Sequence, residues 1–293
     1  MSARCNLIID SCCDLPPSVV NRPGVELVRF PFVCDGDERL DDLWQSTDMH
    51  AFYGRMRKGA SPTTSHPVAT ELRRAFERSI EGGVPAVYLS FSSGLSSHFE
   101  YASAVLEEVL SEHPEADIRI VDTRLASTGE ALLVYEALHR QDDGLTVDEM
   151  ERWANEARSR VSVYFMVDDL DALRRGGRIP RAVAFAGSKL NVKPLLTIAA
   201  DGKLAMAGAA RGRKNGLRAL AEKFAESADL VAPAVVCMGH ADCKDDMEKL
   251  LKMLPGDGSV LRSVCQPIGP VIGSHVGPGM VSIAFWGHEG SKV

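Results

Sequence analysis

The sequence predicts an α/β protein of two α/β domains, the first on a mainly parallel sheet flanked by helices and the second on a mixed sheet. Three observations carry this. Short β-rich runs alternate with amphipathic helical runs through the first half of the chain, the pattern of a parallel sheet covered on both faces. At 293 residues the chain is longer than most single apolar cores support. The composition also shifts after Gln141-Asp142-Asp143-Gly144. The domains are therefore expected at residues 1–150 and 151–293.

Taken in order, Leu7-Ile8-Ile9 is a short strand that ends at Asp10-Ser11, and the stretch from Val25 to Asp42, with Gly36 at a turn, reads as a hairpin. Leu72, Ala75, Phe76 and Ile80 recur at three- and four-residue spacing, so residues 71–80 form a helix. Residues 84–89 and 118–121 are strands, with a second helix over 101–110 between them. Residues 146–160 form the helix that bridges the domains, capped by Thr146 or Asp148. The second half opens with a strand at 161–167, followed by a Gly-rich turn, a strand at 194–198 and a turn at Asp201-Gly202. A helix at 215–227, a strand at 234–238, a helix at 244–254 and a last strand at 281–285 complete it.

Lys and Arg total 33 against 40 Asp and Glu, a formal net charge of -7. That balance argues against nucleic acid, whose phosphates require a basic stripe. Two local basic patches stand out, Arg174-Arg175 through Arg181 and Arg211 through Lys214; each suits one anion or an acidic partner. Met1-Ser2-Ala3-Arg4-Cys5 leads directly into the first strand without the apolar stretch of a signal peptide, and no run is long enough for a membrane span. Seven irregularly spaced cysteines suit reduced thiols, so a cytoplasmic location is expected.

Three turns are rich in hydroxyls or glycine: residues 61–67 around Thr64, Ser65 and His66, residues 92–97 with Ser96 and Ser97, and residues 268–279 with His275. The first two precede helices, where unpaired N–H groups and the helix dipole favour an anion. The same hydroxyls equally suit simple N-caps, and a single histidine on a constrained turn is commonly structural.

Read together, these segments resemble the DegV family of fatty-acid-binding proteins. Asp10-Ser11 with Asp14-Leu15-Pro16, Thr64-Ser65-His66-Pro67, Ser92-Ser93-Gly94-Leu95-Ser96 and Leu170 with Leu173 through Gly176-Gly177-Arg178-Ile179 follow the family's order. Lys193-Pro194, Asp201-Gly202, Arg211, Ile268-Gly269-Pro270 and His275-Val276-Gly277-Pro278-Gly279 complete the match along nearly the whole chain. The resemblance implies a cytoplasmic carrier, not an enzyme, with a long-chain fatty acid enclosed between its domains and no cofactor. It implies that Thr64 and Ser96 hold the carboxylate. Ser65, Ser97, His275 and Arg211 shape the polar end, and Arg178 serves the domain interface or a partner surface. It also implies a separate fatty acid kinase as partner. The chain departs from the family pattern at Ser97-His98, where Gly-Thr is usual, at His66, at Gly212 and at Cys12-Cys13.

Rival readings fit less well. A Ser96–His275 acyl hydrolase lacks the second glycine of a nucleophile elbow and an acid to orient the histidine. A nucleotide kinase lacks a phosphate-binding loop. Cys237, His240 and Cys243 offer no fourth metal ligand nearby, and adjacent Cys12 and Cys13 are poorly disposed to bridge. A protein-interaction module without a cavity is the remaining alternative.

Overall fold

The computed structural model describes residues 3–179, 191–230, 234–255 and 261–288. Arg181, in the first basic patch, lies outside them. Strand β1 (Asn6–Asp10) runs through a 3-10 turn, Ser11–Cys13, to the short helix α1 (Pro17–Val20) and strand β2 (Val25–Val28). Strands β3 (Pro31–Cys34) and β4 (Asp37–Leu40) form a hairpin closed by Asp35 and Gly36, both at positive φ. Helix α2 (Met49–Arg57), strand β5 (Thr63–Thr64), helix α3 (Ala69–Ser79), strand β6 (Ala86–Ser90), helix α4 (His98–Glu112) and strand β7 (Ile118–Asp122) follow.

The first sheet has the order β2-β1-β6-β7 and every pair is parallel. Both faces of such a sheet are buried, and β1 shows why its run is continuously apolar. Ile8 faces a cluster with Leu72, Phe76 and Val105 from α3 and α4, while Leu7 and Ile9 face the centre of the molecule. The expected hairpin at 25–42 is therefore corrected. Only 31–40 is a hairpin; β2 pairs with β1, because a half-apolar strand beside a buried one joins the sheet instead of folding onto its neighbour.

Helix α5 (Thr128–Asp142) then runs between the two sheets, touching β1 on one side and strands of the second sheet on the other. Helix α6 (Val147–Ala157) begins with a capping box, Thr146 bonding reciprocally with Glu149, so Thr146 and not Asp148 is the cap. The second half supplies β8 (Val161–Met166), α7 (Asp171–Arg175), β9 (Val192–Ile198), β10 (Leu204–Arg211), α8 (Arg213–Ser227), β11 (Ala234–His240), α9 (Lys244–Leu251), β12 (Leu261–Pro267), α10 (Pro270–Val276) and β13 (Val281–Trp286). Its sheet is mixed, ordered β10-β9-β8-β13-β11-β12, with β11 and β12 parallel and the other pairs antiparallel. Helices α8 and α9 cover its outer face, around Phe224 and Phe285.

Residues 270–276 differ from the expected turn. Pro270 opens a helix at a position where its fixed φ and missing N–H cost nothing, and Gly277 closes it at positive φ. Gly273 lets α10 sit directly on Tyr53 of α2, whose hydroxyl donates to the Ile268 carbonyl at 2.8 Å.

Candidate ligand-binding site

A cavity of about 230 Å³ lies where the loops after β1, β6 and β7 meet the inner face of the second sheet. In parallel sheets these carboxyl-end loops are where ligands bind. The walls are apolar and buried: Phe30, Phe91, Val163, Phe165, Leu173 and Ile198 among others. One end is polar and partly open, formed by Thr64, Ser65, His66, Ser96, Ser97, Arg178 and His275, with Ser65 and Ser97 exposed.

Each of these side chains is placed by its element. Strand β5 pairs with β3, Thr64 opposite Phe32, which turns the Thr64 hydroxyl toward α10. There His275, in the last turn of α10, meets it: Thr64 Oγ1 and His275 Nε2 are 2.8 Å apart. The ring is held on its other side by Gly176, where a Cβ would stand 2.3 Å from Nδ1. Burial, helped by the nearby Arg178 cation, pushes His275 down to about 4, so it is neutral near pH 7. Ser96 sits at the entrance to α4, its Oγ accepting from the His98 backbone N–H at 3.1 Å.

Arg178 is tied across the two halves, its Nε donating to the Leu95 carbonyl at 3.1 Å and its Nη1 to the Gly176 carbonyl. Burial lowers its pKa, and no carboxylate among the described residues pairs with it. A half-buried guanidinium at the mouth of an apolar cavity leaves a positive charge there to be matched by an anion.

The structure thus gathers Thr64, Ser65, Ser96, Ser97, His275 and Arg178 around one cavity. Arg211 is not among them. It ends β10, exposed, while Leu204 at the strand's other end lines the cavity; seven residues of strand carry the chain roughly 20 Å. His98, one of the departures from the family pattern, points inward, its Nε2 2.6 Å from the Tyr88 hydroxyl and its ring against Phe30. Burial lowers its pKa to about 3, so it is a neutral support beneath the Ser96 loop.

Sequence reasoning missed a further wall, Cys12 with Ala126, Ser127 and Thr128. Ser127 holds a strained backbone, φ 51 and ψ -129. Two bonds fix it there, its N–H to the Cys12 carbonyl at 2.8 Å and its Oγ to Asp14 at 2.6 Å. A signal was available, since Ser127-Thr128-Gly129 places two hydroxyls and a glycine shortly after the strand at 118–121, much as residues 92–97 do after the strand at 84–89. No group of three or more His, Cys, Asp or Glu among the described residues is arranged to hold a metal, and no described helix is long and apolar enough to cross a membrane.

Fold and site together define a two-domain α/β binding protein with an apolar cavity that ends in hydroxyls, a histidine and an arginine. The chain belongs to the DegV family: the model of that family, described as an uncharacterised protein, matches residues 4–287. A DegV domain-containing protein of Clostridium perfringens is 36% identical over 281 residues, 96% of this chain and 97% of the relative. A solved DegV family protein from Thermus thermophilus, described for its fatty acid binding, is 28% identical with a TM-score of 0.84, covering 97% of this chain and 99% of that one. The fatty acid kinase B3 protein of Streptococcus pneumoniae, solved loaded with linoleic acid, shares the fold at 18% identity and a TM-score of 0.84, over 96% and 98% of the two chains.

Proposed function

We propose that this protein binds one long-chain fatty acid in the cavity, carboxylate at the Thr64–Ser96 end, and carries it without altering it. The observation that carries the reading is the division of one cavity into largely apolar walls and a polar end whose Arg178 pairs with no carboxylate among the described residues. Fatty acid binding by the Thermus thermophilus relative supports it.

The energetics agree. Each buried CH₂ contributes about 0.8 kcal/mol, so a long acyl chain supplies on the order of 10 kcal/mol before entropy losses. A carboxylate entering the site must exchange water for protein donors. Neutral His275 can donate from Nε2 to Thr64 Oγ1, which frees the Thr64 proton for the anion; Ser96 adds a second hydroxyl and Arg178 the charge. The bound fatty acid needs no cofactor here.

Exposure of Ser65 and Ser97 leaves the head group reachable from outside while the tail is enclosed. That arrangement suits presentation of the carboxylate to a separate fatty acid kinase. Residues 1–150 and 151–293 are the proposed domain units, with α5 of the first packed against the sheet of the second. The acyl hydrolase reading fits the geometry poorly, because His275 bonds Thr64 rather than Ser96, and Gly176 occupies the place of an orienting acid.

Titration of a fluorescent long-chain fatty acid into delipidated protein tests the proposal. Saturation at one equivalent is expected, with competition by unlabelled oleate. Absence of saturable binding would refute it.

A further inference from the structure

Asp14 closes the 3-10 turn after β1 at φ 55, its N–H donating to the Ser11 carbonyl at 3.1 Å. Its carboxyl is buried, and its two oxygens bind distant parts of the chain. Oδ2 bonds Ser127 Oγ at 2.6 Å, where α5 begins, 113 residues further on. Oδ1 accepts the Gly269 N–H at 2.8 Å, where α10 begins, 255 residues away. Glycine permits this approach, since a Cβ on residue 269 would stand 2.5 Å from Oδ1.

Both partners lead to the cavity. Ser127 lines it from the strained conformation described above, which persists only where the surroundings hold it. Helix α10 supplies Val271, Ile272 and Val276 to the apolar wall and His275 to the polar end. It has seven residues and no side-chain cap at Gly269. Tyr53 of α2 holds it through the Ile268 carbonyl and the close contact at Gly273. Asp14 adds the tie from its first residues to the start of α5. Without that tie a buried N–H loses its acceptor, and so short a helix is free to tilt on Tyr53. A buried carboxyl is itself unfavourable unless its hydrogen bonds are made. Burial pushes Asp14 up to about 7, and the bonds from Ser127 and Gly269 are what oppose the rise.

We propose that Asp14 is a positioning residue of the site: it sets α10 against α5 and thereby places His275 on Thr64. That this pair then meets a carboxylate rests on the fatty-acid reading above.

Two readouts on the full chain test the assignment. The His275 ring signal is followed in proton–nitrogen correlation spectra of histidine-labelled protein and assigned by its loss in His275→Gln. Affinity is followed by calorimetric titration of tetradecanoate. Asp14→Gly removes both bonds and suits the positive φ. It is expected to shift the His275 signal and to lower tetradecanoate affinity about tenfold. The amide of Asp14→Asn can accept from Gly269 and donate to Ser127. That variant is expected to restore the signal, with affinity within about threefold of wild type. Should Asp14→Gly not fold, Gly269→Ala crowds Oδ1 while keeping Asp14, and is expected to shift the same signal. A folded variant that is less stable but leaves the His275 signal unmoved would overturn the proposal. Failure of Asp14→Asn to restore the signal would do the same. Failure of tetradecanoate to bind wild-type protein would instead overturn the fatty-acid reading, with the His275 signal still deciding the role of Asp14.

Discussion

Thr64 and His275 are 211 residues apart in the chain and 2.8 Å apart in space. Neither has a meaning alone. Sequence reading reached them through hydroxyl-rich turns before helices and through the order of the family's motifs. Arg211 shows the limit of that reading, because a motif gives order along the chain but not the direction a strand then takes. Cys12, Ser127 and Thr128 show another limit, since a wall assembled from the loops after β1 and β7 has no single spacing along the chain, even though one of those loops carries hydroxyls of its own. If the two hydroxyls hold the carboxylate, Thr64→Ala with Ser96→Ala removes two charge-assisted hydrogen bonds, each worth roughly 1.5–3 kcal/mol. Fatty acid affinity should fall at least about 100-fold with an unchanged circular dichroism spectrum; undiminished affinity would remove these residues from the head-group site. Gly176→Ala should also weaken binding, by pushing the His275 ring off Thr64, and an isothermal titration that shows wild-type affinity would count against the Thr64–His275 pair.

Helix α5 was not recognised in the sequence, for a physical reason. An amphipathic helix shows a stripe, but α5 is packed on two sides and buries ten of its fifteen residues, so no single stripe exists. Helix α10 was missed because its glycines and proline read as a turn. The outer helices α3, α4 and α8, each with one buried face, were legible. Two predictions belong to α5. Gly→Ala in a helix normally gains up to about 1 kcal/mol, yet a Cβ at Gly129 would stand 2.4 Å from Val163 Cγ2. Val163 is β-branched and fixed in β8, so overpacking of roughly 1–3 kcal/mol should prevail. Urea unfolding should show Gly129→Ala to be less stable than wild type.

Glu130, fully buried in α5 beside Asp10, is the second case. Burial, then the Asp10 charge, raises its pKa well above 4.5, and burial also raises Asp10 to about 7. A carboxyl raised in the native state holds its proton more tightly folded than unfolded. Its contribution to stability is complete below 4.5 and is lost as pH rises toward the native value. Gln cannot ionise in either state. The stability of Glu130→Gln relative to wild type should therefore increase above pH 4.5, by up to about 1.4 kcal/mol per pH unit. Denaturation midpoints at pH 5 and pH 8 that differ from wild type by the same amount would contradict this.

At the scale of the molecule, two sheets face a shared helix and leave an apolar space beside it, with a polar end where Ser65 and Ser97 are exposed. The division into a parallel and a mixed sheet was legible from the alternation of elements in the first half and the strand-rich second half. The cavity was not, because its volume depends on how side chains from both sheets fail to fill the gap. The central claim is that this space belongs to a fatty acid. Protein freshly purified from cells, compared by native and denaturing mass spectrometry, tests it most directly. The account predicts one additional mass per chain in the native spectrum, equal to a long-chain fatty acid and lost on denaturation. A native mass equal to that of the bare chain, together with no thermal shift on adding fatty acids of several lengths, would contradict it.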